Sequence, residues 1–416
     1  MTSPYKRRDT VSWALYDWAN SAFATTVLAG FFPVFFQKFW SVGVDPTIST
    51  SRLGFANGIA GIVVAILAPV LGAIADRTAG RKRQLVIWSM LGVLGTASLG
   101  FIGQGEWWWA AACFVMACIG FNAANVFYDA LLLDVSAEHE LDQVSAFGYA
   151  MGYLGGGLLF AVNVLMTVNP VWFGLGSAAE AVQVSFLTVA VWWFVFTLPI
   201  AKNVRERPAP LPSTTLSVAA RDGLRELWST VRHVGEYRHV TLFLIAYWLY
   251  IDGVHTIYTM AVDYGVALGL PSSSLLGALL LTQFVAFPSA LALGWLGNRW
   301  GPKRGILLCI VVYLSATLYA YFLDTVVEFF GLAVVVGLVQ GGIQSLSRSL
   351  FGRLVPEGKG GEFFGFFNLM GKFASFLGPV LIASVALVTG DSRLSITSLV
   401  VLFIAGGIVL AKVPGR

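Results

Sequence analysis

The chain is a succession of apolar runs about twenty residues long, and a run of that length leaves few options. With no water in hydrocarbon to satisfy peptide groups, each run must close its own backbone hydrogen bonds by coiling into a helix. Twelve spans are expected, over 11–36, 53–75, 85–103, 107–130, 145–168, 181–201, 239–268, 275–297, 305–323, 326–349, 362–389 and 394–412. Composition agrees: of 416 residues 57% are hydrophobic and only 12% charged, too few charges for the surface of a soluble domain. An even number of spans puts both termini on one side. Of the 26 Lys and Arg, 22 fall on the side of the termini; the opposite loops hold only Lys38, Arg52 and Arg393, and Lys372 lies within a span. The positive-inside bias makes the shared side cytoplasmic, in a cell inner membrane. It also accounts for the net charge of +4 without a nucleic-acid partner. The first run follows Lys6-Arg7-Arg8 with no cleavage pattern and is expected to remain as a span. Cys113, Cys118 and Cys309 all sit in apolar runs and read as packing residues, not as disulfide or metal partners.

Between the second and third runs lies a short basic turn, Gly72-Ala-Ile-Ala-Asp76-Arg77-Thr-Ala-Gly80-Arg81-Lys82-Arg83. A second copy, Gly294-Trp-Leu-Gly-Asn298-Arg299-Trp-Gly301-Pro-Lys303-Arg304, lies between the eighth and ninth. Gly72 matches Gly294 and Arg77 matches Arg299, with Asn298 in place of Asp76, so the chain divides into two related halves. The break in composition falls between them. Residues 202–238 open Pro-rich and continue with Leu224, Leu227, Trp228 and Val231 at helical spacing among Arg221, Arg225 and Arg232, a basic amphipathic helix for the cytoplasmic membrane surface. The expected architecture is an all-α membrane protein with 12 transmembrane helices in two pseudo-symmetric six-helix bundles, 1–201 and 239–416, joined by the linker 202–238.

Charge inside a bilayer is costly, at about 2.5–3.5 kcal/mol per residue by insertion scales, and demands a partner or a wet cavity. The first span carries Asp17, Asn20, Ser21 and Thr25 on one face, and the seventh carries Asp252, His255, Thr256, Thr259 and Asp263 in the same phase. The fourth has Asn122, Asn125 and Asp129; the tenth has Gln340, Gln344 and Arg348; the eleventh adds Asn368, Lys372 and Ser375. Sliding Asp129 onto Arg348 places Asp134 on Arg353, so the halves offer opposite charges at matching depth. These stripes predict a polar cavity between the halves.

Twelve spans in two halves, with Gly-x-x-x-Asp-Arg-x-x-Gly-Arg-Lys after the second, resemble the major facilitator superfamily over the whole chain. The resemblance implies a central site lined by helices one, four, seven and ten. It also implies a cytoplasmic latch of Asp76, Arg77 and Arg81 that reaches Asp134 in the outward-facing state, with Arg299 as the counterpart in the second half. Tyr16-Asp-Trp-Ala-Asn-Ser-Ala-Phe23, Tyr250-Ile-Asp-Gly253, Gln344-Ser-Leu-Ser-Arg-Ser-Leu-Phe-Gly-Arg353, Glu362-Phe-Phe-Gly365 and Gly371-Lys-Phe373 look like the vacuole-effluxer-like branch, whose fungal members are linked to autophagy and release amino acids from the vacuole. The chain departs from that pattern at Asp129, where Asn is expected, and at Leu133, where Pro is usual.

The function expected on these grounds is secondary transport of a small polar solute, an amino acid, by alternating access with proton coupling and with export the favoured direction. Candidate binding or coupling residues are Asp17, Asn20, Asn125, Asp129, Asp252, His255, Gln344, Arg348 and Lys372. Lys372 and Arg348 would meet a substrate carboxylate, and Asp17 and Asp252 an ammonium or a proton. Rival expectations are an amphiphile exporter using Phe23, Tyr128, Tyr153, Tyr258 and Phe366, and a non-transporting sensor or assembly protein. Enzyme motifs, cofactor and metal are not expected, and the protein is expected to act as a monomer in the bilayer.

Overall fold

A computed structural model of the chain describes residues 4–77, 80–206, 237–356, 359–374 and 377–414. The side chains of Asp76, Arg77, Asp263 and Lys372, and the amphipathic stretch expected within 202–238, lie outside the described residues. So do Glu357 and Ser375.

The helices are α1 (Arg8–Trp40), α2 (Pro46–Arg77), α3 (Arg81–Leu99), α4 (Trp107–Val135), α5 (Leu141–Val168), α6 (Ala178–Asn203), α7 (Arg238–Ala267), α8 (Ser272–Trp300), α9 (Pro302–Ala320), α10 (Val326–Leu354), α11 (Gly360–Phe373), α12 (Leu377–Thr389), α13 (Ser392–Thr397) and α14 (Val400–Ala411). Among the described residues nine segments are long and apolar enough to cross a membrane by length and composition. Local chemistry sets several ends. Thr325 accepts from the Glu328 N–H while the Glu328 carboxylate accepts from the Thr325 N–H, a reciprocal cap that starts α10. Ser177 caps α6 by accepting from Glu180 N–H, while the Glu180 carboxylate accepts from Gly176 N–H.

Two expected spans differ in form. The first reaches Trp40, and over Phe23–Phe31 and Phe36–Trp40 its backbone bonds skip five residues instead of four, widening the helix. The expected span 362–389 is two helices: Ala374 leaves helical geometry at ψ 31°, and the N–H groups of Leu377 and Gly378 donate to the Asp252 carboxylate at 2.9 and 2.8 Å.

The matched glycines of the two basic turns have matching jobs. A Cβ on Gly72 would strike the Gly361 carbonyl of α11, and one on Gly294 would strike the Ala146 methyl of α5. Each glycine lets a helix of one half approach the other half at backbone distance, as small residues do between membrane helices. Both approaches lie toward the end of the molecule that carries the basic turns, called the basic end below.

Candidate functional site

Between the halves lies a cavity of about 430 Å³, walled by α1, α4, α5, α7, α8, α10 and α11. Its lining runs along α1 from Asp17 to Ala29, along α4 from Asp129 back to Phe121, and along α10 from Arg348 back to Gln340. All three directions lead away from the basic end, so the charged residues form the floor and the cavity extends toward the opposite membrane face.

Arg348 organises the floor. Its Nη1 donates to Asp129 Oδ1 at 3.0 Å and stands 3.8 Å from Asp17 Oδ2. Its Nε and Nη2 donate to the Oγ and carbonyl of Ser145, both at 2.9 Å. The rings of Tyr149 and Trp13 lie 4.2 and 5.0 Å from the guanidinium carbon, so a buried cation is held by carboxylates, hydroxyl, carbonyl and aromatic faces together. Asp129 ties the halves twice, because its second oxygen accepts from Asn368 Nδ2 at 2.9 Å. Asp17 accepts from Tyr128 OH at 3.1 Å and from Ser21 Oγ at 3.3 Å. Among the described residues the floor thus sets two carboxylates against one guanidinium.

Below the floor the halves are bolted. Asp142 at the start of α5 pairs with Arg353 of α10 at 2.8 Å and accepts from Ser349 Oγ at 2.5 Å. Ser145 Oγ also donates to the Ser345 carbonyl at 2.8 Å. These contacts join the two halves between the cavity and the basic end.

The structure gathers most of the residues singled out from sequence around this cavity. Asn20 Nδ2 donates to Asn125 Oδ1 at 2.7 Å, Gln344 accepts from Tyr153 OH at 3.3 Å, and His255 lines the wall. Arg81 and Asp134 meet at 3.1 Å, joining α3 to α4 within the first half. Three placements differ from expectation. Asp252 is fully buried outside the cavity, its carboxylate taken by the first N–H groups of α12 and by Thr256 Oγ1 at 3.2 Å. Arg299 is exposed and stacks over Trp295 one turn back on its own helix, at 4.5 Å, with no ion pair or hydrogen bond to the first half among the described residues. Arg348, expected to meet a substrate carboxylate, already serves Asp129 and Ser145. Lys372, Asp76 and Arg77 cannot be placed, because their side chains lie outside the described residues. Sequence reasoning missed Asp142, which reads there as an ordinary first-turn acid, and Gln283, a lone amide in an apolar run. Among the described residues no group of three or more His, Cys, Asp or Glu stands together as a metal site.

Solved structures share this architecture. The major facilitator superfamily transporter FucP in its outward conformation superposes with a TM-score of 0.73, covering 100% of both chains at 12% identity. The proton:xylose symporter XylE gives 0.72 at 14% identity, covering 98% of this chain and 95% of that one. The fold, helices in two pseudo-symmetric bundles around a central cavity, is that of major facilitator superfamily transporters, the class that the 41% identical relative named below also carries in its name. Within that class the sequence matches the family described as vacuole effluxer Atg22 like over residues 47–141 and 133–415. An uncharacterized MFS-type transporter of Bacillus subtilis (strain 168), YxiO, is 41% identical over 97% of this chain and 94% of its own length. Autophagy-related protein 22-2 of Penicillium rubens is 29% identical over 63% of this chain, which spans 48% of that longer relative. The chain belongs to the vacuole effluxer Atg22-like family.

Proposed function

We propose that this transporter moves a small amino acid across the cell inner membrane by proton-coupled alternating access, in the direction of export, with the basic end and both termini in the cytoplasm. The observation that carries the reading is the floor of the cavity, where among the described residues two carboxylates, Asp17 and Asp129, share one cation, Arg348, at the junction of the halves. An α-ammonium group seats against Asp17, whose carboxylate faces the cavity and is the more weakly engaged of the two. Asn20, Asn125 and Gln344 supply hydrogen bonds to the rest of the solute, and His255 stands on the wall within the same space.

A proton provides the coupling. When Asp129 takes one up, the O–H bond removes the charge that holds Arg348 of the other half, and the tie between α4 and α10 loosens. Halves 1–201 and 239–416 then rock about the central site, and the close approaches at Gly72 and Gly294 and the Asp142–Arg353 bolt part as the basic end opens. Arg81 and Asp134, with Asp76 and Arg77, belong to the gate at that end. Repeats of this kind rock about a site near the midplane. The placement of 22 of the 26 Lys and Arg supports the orientation.

The test is substrate-driven proton movement in proteoliposomes, followed with a pH-sensitive dye over a panel of amino acids and short peptides. Asp17→Asn is expected to abolish the signal. Wild-type flux with unchanged pH dependence in that variant would overturn the assignment of Asp17.

A further inference from the structure

Seven carboxamide side chains line the cavity: Asn20, Asn122, Asn125, Gln283, Gln340, Gln344 and Asn368. Five have partners. Asn20 and Asn125 bond each other, Asn122 donates to the Cys118 carbonyl, Gln344 accepts from Tyr153, and Asn368 donates to Asp129. Gln283 of α8 and Gln340 of α10 have none, although each is only 4% exposed and each amide oxygen is shut away from bulk solvent. A buried primary amide without a partner costs about 1–3 kcal/mol. Both residues line the space where a solute binds, and rotation about the last side-chain bond of each turns its amide toward a solute that supplies the missing partner.

From this we infer that Gln283 and Gln340 form a second subsite, which reads a neutral hydrogen-bonding group on the solute whose ammonium meets Asp17. The inference rests on the amino-acid reading above and narrows it to amino acids with amide or hydroxyl side chains.

Geometry gives the spacing. Gly152 of α5 lies against Asp17, 3.0 Å from its Oδ1 to the place a Cβ would take; Gly157 lies against Gln283, 3.3 Å from its Cβ in the same measure. Five residues of helix separate the two levels by about 7.5 Å. Along α10, Gln340 stands two turns above Arg348, about 12 Å along the axis, with Gln344 between them. A side-chain amide reaches that level once a hydrogen bond of about 2.9 Å is added at each end of the solute.

The chemistry gives the selectivity. Each amide presents one acceptor and one donor and can turn over to exchange them. A pair therefore satisfies a group that both gives and takes hydrogen bonds, such as a carboxamide or a hydroxyl. It carries no charge to pair with a second ammonium or a carboxylate. A thioether or alkyl chain of the same length leaves both amides unpaired and is rejected for that reason.

The test compares glutamine with methionine, two side chains of similar length, by equilibrium binding to the purified full chain and to the variants Gln283→Met and Gln340→Met. The melting temperature of each variant serves as the check on folding. The wild type is expected to prefer glutamine by about tenfold or more, and each substitution to cut that preference by about three- to tenfold. Equal affinities in the wild type, or a preference that survives both substitutions, would overturn the subsite. Folded wild type that binds neither amino acid overturns the amino-acid reading itself and the subsite with it, a result distinct from binding without discrimination.

Discussion

Asp17 and Asp252 occupy the same position in the first helix of each half, and each accepts from a hydroxyl four residues on, Ser21 at 3.3 Å and Thr256 at 3.2 Å. Their surroundings then part. Asp17 faces α5, a continuous helix with no free N–H to offer, so its carboxylate is left to the cavity, Tyr128 and Arg348. Asp252 faces the corresponding helix of the second half, which is broken after Phe373. The first amides of α12 take up its charge. One repeat position thus lines the cavity in one half and caps a helix in the other. What decides its role is whether the facing helix is whole.

That comparison can be broken by substitution, and the effects on stability should fall in a definite order. Arg348→Met is expected to cost the most, about 3–5 kcal/mol in thermal unfolding, because Asp129 and Asp17 are left buried without their cation. Adding Asp129→Asn should recover part of the loss, and strict additivity of the two changes would argue against the pairing. Next comes Asp252→Ala, at about 2 kcal/mol through loss of the cap on α12. Since Asp252 lies outside the cavity, an equal effect on solute binding would erase the distinction drawn here.

Asp142→Asn should weaken the bolt by about 1.5 kcal/mol, seen as faster labelling of Ser345→Cys, from the basic side by an impermeant maleimide, in a background without Cys113, Cys118 and Cys309. Asp17→Asn should move stability least, by about 1 kcal/mol or less, since Asp129 keeps the guanidinium at 3.0 Å while Asp17 stands at 3.8 Å. If Asp17→Asn destabilises the protein more than Asp252→Ala, the two roles have been assigned the wrong way round.

The same pair shows how far a sequence of this kind can be read. The halves, the spans and the facing stripes were legible because apolar length, the basic-turn repeat and helical phase are local patterns. Asp129 and Arg348 were legible as charges that hydrocarbon would not accept alone. Asp252 carries the same signal as Asp17, and its partner is backbone N–H from a helix 125 residues away, exposed only because that helix breaks. The composition of 362–389 marks the break only by Gly378-Pro379, which suits a kink within one span as well as the first turn of a new helix, where Pro379 in fact falls. Gln283 was illegible for a different reason. One amide in an apolar stretch looks the same whether it is paired or waiting for a ligand.

Glu206 lies just beyond α6, and its carboxylate accepts from the backbone N–H groups of Gly80, Arg81 and Lys82 at 3.0, 2.9 and 3.0 Å. Arg81 in turn grips Asp134, five residues along α4 from Asp129. The first residues of the tether are therefore fastened to the basic turn that opens α3 as well as to the helix they leave. A force on that tether acts as a lever on α4, with the charged floor of the cavity about 7.5 Å from the point of attachment.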